Sequence, residues 1–348
     1  MESSPIGPLV VQWHAREGRR LAWRDTFDPY RIWIAEVVFQ QTRIGQGIGH
    51  YERFMERFPG LPALAAASLD EVLKAWEGLG YYSRARNLHA AARELMERYG
   101  GEFPQDYREL LKLKGIGPYT ARAIGSFAFG NPVGVLDGNV LRVAARLLGE
   151  HEPVDRPAVR KRLQEQADRW AASADSRSFN HGMMDLGSVV CTPAKPGCLI
   201  CPLEAHCLAR KAGAVHLIPR KSPKTARKTR YFHFYLVRDG SGGLLIRRRP
   251  DRGVWGGLWE IPNQEVSEAQ WLRQEDPAGG QPAGVELKHS FTHFDMMIRV
   301  FEAGAAAAPP GDRYISQENI AIFAFSKAVL NIFGAVFSVP QPPPPAYG

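Results

Sequence analysis

Two acidic residues, Glu36 and Asp137, are candidates for acid–base chemistry. Glu36 lies within residues 30–41, whose apolar side chains point nearly all round a predicted helix, so that helix is expected to be buried. A carboxyl group in such surroundings loses hydration and its pKa rises, which suits a general acid near neutral pH. Asp137 precedes a glycine, where an acid could lie at the mouth of a pocket. A buried glutamate paired with Arg31 or Arg43 is the alternative interpretation of Glu36.

A glycine-rich turn lies shortly before Asp137. Residues 107–112 have a helical pattern, Gly115 and Gly117 interrupt it, and a second helical pattern starts at Tyr119. Glycines permit positive φ and close backbone approach, and the first turn of a helix presents unpaired N–H groups. The turn is therefore expected to bind an anion, and a phosphate next to a carboxylate suggests chemistry on a nucleic-acid backbone unit.

All four cysteines of the chain fall within seventeen residues, with the spacing C-x6-C-x2-C-x5-C: Cys191, Cys198, Cys201 and Cys207. Such clustering, in a chain whose first residues show no basic-then-apolar export signal, favours a metal site over disulfides. Four thiolates suit both zinc and an iron-sulfur cluster, so the spacing alone leaves both open.

Length and charge indicate the broad class. A chain of 348 residues is long enough for two domains, and a net charge of +8 with a pI near 9.4 favours a polyanionic partner. Residues 320–339 approach membrane-spanning length, but Lys327 and Asn331 lie within the run, so a buried strand and helix is the preferred interpretation. We expect no membrane association and a cytoplasmic, nucleoid-associated location.

Two further segments have the composition of DNA-contacting loops. Gln41 and Thr42 are polar residues at the end of the helix that contains Glu36, where amide groups could enter a duplex and replace an extruded base. Leu79 and Tyr81 lie in a glycine-flanked tip followed by two arginines, which is what base extrusion requires. Solvated helix-end polar residues and a buried aromatic turn are the respective alternatives.

The last third of the chain changes character. A basic, proline-punctuated linker is followed by strand patterns, and a Pro-rich end is expected to be an extended tail. The predicted strands lie in residues 231–237, 244–248 and 285–301, with a loop-strand unit at 254–262. No R-E-x-x-E-E helix follows that unit, so a metal-dependent pyrophosphatase is not expected.

Three motifs together resemble a known family. Residues 33–43 read W-x-x-E-V-x-x-Q-Q-T-R, residues 113–120 read L-K-G-I-G-P-Y-T, and residues 135–140 read V-L-D-G-N-V. They resemble the endonuclease III superfamily of DNA glycosylases. Within it, Tyr119 fits the adenine DNA glycosylases of MutY type, because endonuclease III itself carries a Schiff-base lysine there.

The resemblance implies a multidomain fold. Residues 1–210 would form an all-α helix-hairpin-helix glycosylase region with a six-helix barrel, and residues 211–230 a basic linker. Residues 231–339 would form an α+β, Nudix-like (MutT-like) domain, and residues 340–348 the tail. In this family the cysteine spacing resembles the [4Fe-4S] motif, which would fix a basic loop against phosphates.

The resemblance also implies an activity: excision of adenine mispaired with 8-oxoguanine, or with guanine, in double-stranded DNA. Glu36 would protonate adenine N7, and Asp137 would stabilise the cationic sugar, electrostatically or by transient covalent attachment. Tyr119 and Asn139 would order these groups. DNA contacts are implied for Arg24, Gln41, Thr42, Leu79, Tyr81, Gly115 and Gly117, and reading of 8-oxoguanine for Phe291, Thr292 and His293.

We expect a monomer on its DNA. Two other function classes stay open on sequence. A bifunctional glycosylase/AP lyase would need an amine nucleophile, and a non-catalytic iron-sulfur DNA-binding protein would not need both Glu36 and Asp137.

Overall fold

The computed structural model describes residues 5–223, 226–304 and 307–337. The α-helices of these residues are α1 Ile6–Glu17, α2 Pro29–Val38, α3 Ile44–Arg57, α4 Leu61–Ala66, α5 Leu69–Ala75, α6 Ser83–Tyr99, α7 Tyr107–Lys112, α8 Pro118–Phe129, α9 Gly138–Leu147, α10 Pro157–Ala171, α11 Ser176–Asp185, α12 Leu208–Lys211, α13 Glu268–Leu272 and α14 Lys327–Phe337. The strands are β1 Lys228–Val237, β2 Leu244–Arg248, β3 Trp259–Glu260, β4 Asn263–Val266, β5 Gln281–Ser290, β6 Phe294–Ala303 and β7 Arg313–Ile315.

The chain divides into two compact units that do not follow sequence order. The first unit comprises Met1–Gln40, Gly60–Pro62 and Ala91–Lys224. The second comprises Gln41–Pro59, Ala63–Ala90 and Thr225–Gly348, so it joins part of the helical region to the sheets. The sequence predicts domain boundaries at residues 210 and 230. Strand β1 begins at Lys228, which lies inside the predicted linker.

The helices of the first unit begin where local signals place them. Asp28 caps α2 by accepting a hydrogen bond from Tyr30 N at 2.9 Å, and Pro29 fills the first helical position, where its missing N–H is not needed. Tyr30, Trp33 and the other apolar residues of α2 are buried, as the pattern predicts. The helix therefore carries Glu36 into the interior.

Helix α11 ends at Asp185. Leu186–Val190 continues as a π-helix, in which Cys191 N donates to Leu186 O at 2.7 Å. Gly187 lies in this turn, and a Cβ there would come within 2.6 Å of Asn139 Cβ. The wider turn thus brings the backbone against α9, a tertiary contact that periodicity does not reveal.

The second unit contains two sheets, ordered β4-β1-β6-β5 and β3-β2-β7. β1 pairs with β6 in parallel, whereas β5 and β6 are antiparallel, with Ser290 opposite Asp295. The strand pattern at residues 285–301 is therefore a hairpin whose turn is residues 291–293. Apolar side chains of both sheets and of α14 form one core.

The C-terminal apolar run forms a short 3-10 helix, Gln317–Ile322, an extended stretch, and α14. Phe325 is fully buried and pairs as an isolated bridge with Trp259. The preferred interpretation of this run as a buried strand and helix is close to what is found. Among the described residues no helix is long and apolar enough to cross a membrane. The predicted Pro-rich tail, residues 340–348, lies outside the described residues.

Candidate active site

Glu36 lies half-buried near the C-terminal end of α2. Its Oε2 accepts a hydrogen bond from the Tyr119 hydroxyl at 2.6 Å, so neither Arg31 nor Arg43 is the partner shown for this carboxyl group. Burial raises the pKa of Glu36 from 4.5 to about 7, opposed by the Tyr119 hydrogen bond and reinforced by the charge of Asp137. A carboxyl group with this pKa holds a proton at neutral pH and can donate it.

Tyr119 connects the two acids electrostatically. It stands in the first turn of α8, directly after the glycine turn. Burial raises the pKa of Tyr119 well above its usual value, and the charges of Glu36 and Asp137 raise it further. Because both carboxyl groups act on one phenol, they must lie within a short range of it. The sequence prediction that these residues share one site is consistent with this arrangement.

Asp137 caps α9. Its Oδ1 accepts a hydrogen bond from Val140 N at 2.6 Å, and its Oδ2 accepts one from Asn139 Nδ2 at 3.2 Å. Burial raises the pKa of Asp137, whereas the N–H donors of Val140 and Asn139 and the charge of Arg142 lower it. These donors stabilise the ionised form of Asp137 and so oppose the rise of its pKa.

Arg142 holds Asn139 in place. Its Nη2 donates to Asn139 Oδ1 at 2.9 Å and to Gly187 O at 2.6 Å, and its Nε donates to Cys191 O at 2.8 Å. With its Oδ1 occupied, the Asn139 amide can present only N–H groups to Asp137. The sequence analysis did not identify this role, because Arg142 is itself fixed by Gly187 and Cys191, which lie 45 and 49 residues further along the chain.

Arg24 binds a buried carboxylate. Its side chain is 11% exposed, and Nη1 donates to Oδ2 of the fully buried Asp185 at 2.9 Å. Arg19 binds the same carboxylate through Nε and through its backbone N–H, at 2.8 and 2.9 Å. The charge of Arg24 lowers the pKa of Glu36. The sequence analysis did not identify Asp185, because no local sequence pattern indicates a partner about 160 residues away.

The glycine turn has the expected helix start. Gly115 adopts φ +78°, the left-handed region, whereas Gly117 does not, since its φ is −86° and its ψ 179°. Gly117 is instead the N-cap of α8, with open space where a Cβ would stand. No side chain caps this helix, so its first N–H groups stay available to an anion.

The four cysteines are free and border one small cavity of about 30 Å³. Burial raises the pKa of the Cys201 thiol to about 11, with a smaller effect of the other three cysteines. Arg146 Nη1 donates to Cys191 Sγ at 3.3 Å. In the part of the chain that the structure describes, no three His, Cys, Asp or Glu side chains form a preassembled metal site. The donor set nevertheless fits a thiolate-bound group, since four sulfurs and a cation line one apolar space.

The predicted DNA-contacting loops differ in exposure. Gln41 and Tyr81 are exposed, and both have left-handed backbone, with φ of +58° and +47°. Such conformations are strained in non-glycine residues and concentrate at functional sites. Leu79 is only 8% exposed, compared with 49% for Tyr81, so Tyr81 is the ring that this loop presents. Thr42 is half-buried.

Phe291, Thr292 and His293 form the turn between β5 and β6. Phe291 N donates to Phe294 O at 2.9 Å and closes the turn. The Phe291 ring stacks on Phe294 and also packs against Trp255, with centroid distances of 4.4 and 5.2 Å. Thr292 and His293 remain exposed, and the Thr292 hydroxyl lies 2.7 Å from that of Tyr81.

Comparisons with known proteins fit this geometry. Residues 34–169 match the HhH-GPD superfamily of base excision DNA repair proteins, and residues 233–335 match the NUDIX domain. The first match contains Glu36, Tyr119 and Asp137, and the second contains the turn at residues 291–293. The predicted organisation, a helix-hairpin-helix region followed by a Nudix-like domain, is confirmed.

Individual relatives agree with these matches. The chain is 33% identical to the adenine DNA glycosylase of Homo sapiens, over 96% of this chain and 74% of the relative. It is also 33% identical to the adenine DNA glycosylase of Buchnera aphidicola subsp. Baizongia pistaciae, over 77% of this chain and 74% of the relative. A solved thermostable thymine-DNA glycosylase is similar with a TM-score of 0.54 and 29% identity, covering 59% of this chain and 94% of that chain.

Proposed function

Because this chain belongs to the family of MutY-type adenine DNA glycosylases, we propose that its substrate is adenine paired with 8-oxoguanine, or with guanine, in duplex DNA. The family hydrolyses N-glycosyl bonds in base-excision repair, and that activity is this chain's activity. Beyond this mispair, we propose roles for the individual site residues and a bound iron-sulfur cluster. We also propose that the protein is a monomer and acts at the nucleoid. The observation that carries the proposal is the pair of acids, Glu36 and Asp137, that both act on Tyr119, the first through a hydrogen bond and the second through its charge.

In the proposed reaction, base flipping places the adenosine between the two acids. Glu36 donates its proton to adenine N7, which makes the base a better leaving group. As the N-glycosidic bond breaks, the sugar develops positive charge, which ionised Asp137 stabilises. Water then forms the new bond to C1′ through its oxygen, and the proton that it loses restores the Glu36 carboxyl group, so the net reaction is hydrolysis. Tyr119 carries a phenol rather than an amine, so it cannot form the Schiff base of a lyase.

The residues around the acids set their protonation. Tyr119 orients the Glu36 carboxyl group, and Asn139 orients Asp137 and stabilises its charge. Arg24 limits the rise of the Glu36 pKa, which keeps the proton transferable. The exposed Gln41 and Tyr81, with Thr42 and Leu79 beside them, would fill the space of the extruded base. Gly115 and Gly117 would bind a phosphate through the start of α8.

We propose that Cys191, Cys198, Cys201 and Cys207 hold a [4Fe-4S] cluster. The support is four free thiols around one cavity, with Arg146 Nη1 donating a hydrogen bond to Cys191 Sγ. The cluster would link the cysteine loop to the body of the first unit. Hydrolysis transfers no electrons, so the reaction steps above fall to the side chains.

A metal analysis separates the cluster from zinc, which the spacing alone allows. We expect iron and acid-labile sulfide in about a 1:1 ratio, near four of each per chain, in protein purified without oxygen. Cys198→Ser should lose most of the iron and the visible absorbance. One equivalent of zinc, with neither iron nor sulfide, would overturn the assignment.

The substrate proposal is tested at the turn between β5 and β6. A hydroxyl can hydrogen-bond N7–H or O8 of 8-oxoguanine, the groups that distinguish this base from guanine. Thr292→Val preserves the shape of the side chain and removes the hydroxyl. We expect the single-turnover rate on A:8-oxoguanine to fall about tenfold, and the rate on A:G to change little, because one hydrogen bond of about 1.4 kcal/mol is lost.

The neighbouring Ser290→Ala variant is the matched control, because it removes a hydroxyl from β5 and leaves the turn residues unchanged. A T:G duplex serves as a negative substrate. If wild-type protein excises adenine equally from A:8-oxoguanine and A:G, the proposed preference does not exist. Equal losses on both substrates in the Thr292 variant would assign that residue to DNA contact alone.

A further inference from the structure

The loop that carries Tyr81 is held by the C-terminal part of the second unit. Glu77 Oε1 accepts a hydrogen bond from Phe325 N at 3.0 Å, and the Tyr82 hydroxyl donates to Phe325 O at 3.1 Å. Lys74 Nζ donates to Phe323 O at 3.0 Å and pairs with Glu77 at 2.7 Å. Three side chains around the loop thus satisfy backbone groups of one extended stretch, Phe323–Phe325.

The stretch Phe323–Phe325 is largely buried here and also bonds to the strand β3. Phe325 is fully buried, Tyr82 is nearly so, and Ala324 O accepts from Trp259 N at 2.9 Å. The extended stretch is therefore fixed by the sheet domain on one side and by the loop on the other. Unmade hydrogen bonds in such a position are unfavourable, so the loop and the stretch are expected to move together.

Within the loop, further hydrogen bonds fix the backbone. Arg84 Nη2 donates to Leu79 O at 3.0 Å and to Gly80 O at 3.2 Å, and Trp76 Nε1 donates to Gly80 O at 3.1 Å. Tyr81 is thereby kept in its strained conformation, with its ring exposed and its hydroxyl 2.7 Å from Thr292. The exposed Tyr81 ring and the Thr292 hydroxyl are therefore held at a fixed distance from each other.

We propose that Glu77 and Tyr82, through Phe323–Phe325, are positioning residues that align the Tyr81 loop with the turn at residues 291–293. The inference rests on the proposed function, because it assigns base extrusion to Tyr81 and lesion reading to Thr292. When they are aligned, the Tyr81 loop and the turn at residues 291–293 contact the same mispair at the same time. Contact with 8-oxoguanine is then coupled to extrusion of the opposite adenine. The C-terminal stretch thus contributes to discrimination without touching DNA.

Point variants of the full chain test the coupling. Glu77→Ala removes the acceptor of Phe325 N, Tyr82→Phe removes the donor to Phe325 O, and Glu77→Gln retains an acceptor. We expect the ratio of single-turnover rates, A:8-oxoguanine over A:G, to fall about fivefold in the first two variants and to stay near wild type in Glu77→Gln. Fluorescence of 2-aminopurine opposite 8-oxoguanine should show the same loss of extrusion.

Glu71→Ala is the matched control. Glu71 lies on α5, which ends two residues before Glu77, and it pairs with Arg57 and completes the capping box of Ser68. Through the bonds shown it contacts no residue of Phe323–Phe325. An equal fall of the ratio in Glu71→Ala, or an unchanged ratio in Glu77→Ala and Tyr82→Phe, would overturn the inference. Absence of any preference in wild-type protein would instead overturn the proposed function, so the two failures are distinguishable.

Discussion

Replacement of Glu36 by glutamine is expected to slow adenine excision by about 10²–10⁴-fold, the usual contribution of a general acid. Glutamine keeps the size of the side chain and an oxygen that can accept from the Tyr119 hydroxyl, but has no proton to give. Binding should persist, because glutamine preserves the shape of this half-buried side chain. The two quantities are measured as the single-turnover rate and the equilibrium affinity for an A:8-oxoguanine duplex.

The pH dependence supplies an independent check. Glu36 acts while protonated, so the wild-type rate should fall about tenfold per pH unit above a pH of about 7. The Glu36→Gln variant should lack this limb. Glu97→Gln, which changes an exposed glutamate on α6, should retain both rate and pH profile. Near-normal excision by Glu36→Gln would remove this residue from the mechanism.

Stability distinguishes lost chemistry from lost folding. The pKa of Glu36 is raised from 4.5 to about 7 in the folded protein, so its neutral form favours folding. That contribution is complete below pH 4.5 and is lost as the pH rises through 7. Glutamine carries no buried charge at any pH. Glu36→Gln should therefore be more stable than wild type above pH 7, by up to about 3 kcal/mol of unfolding free energy.

Much of the active site could be predicted because its elements begin and end at local signals. Asp28 and Pro29 start α2, Ser68 and Glu71 form the capping box of α5, and the apolar pattern of α2 predicts the burial that raises the Glu36 pKa. Each of these effects depends on residues only a few positions apart, so the local sequence is sufficient to predict where the helix starts and which side chains are buried.

The rest depends on residues far apart in the chain. Arg142 is a helix-surface arginine by pattern, and only the π-helix beside Gly187 reveals that it orients Asn139. Asp185 looks like any helix-end acid, yet it holds two arginines from the first 24 residues. Glu77 bonds to a backbone N–H 248 residues away. No periodicity encodes these pairings, because packing between elements selects them.

Asp137→Asn is expected to slow excision by about 10²–10³-fold, the usual loss when a preorganised charge facing the transition state is removed. The variant can still accept the hydrogen bond from Val140 N through its amide oxygen, so the cap of α9 should survive. Its amide NH₂, however, would face the NH₂ of Asn139, which cannot turn over because Arg142 occupies its oxygen. The rate is measured as for Glu36→Gln, with circular dichroism to check the helices.

Combination of the two substitutions tests whether both acids serve one step. If Glu36 and Asp137 act on the same bond-breaking event, the double variant should be little slower than the slower single variant, because groups that act as a unit are not additive. Multiplication of the two effects would mean that the two acids stabilise the transition state independently of each other. Retention of wild-type excision in Asp137→Asn would mean that no charge is needed beside the sugar, and the reaction proposed for this pair of acids would be wrong.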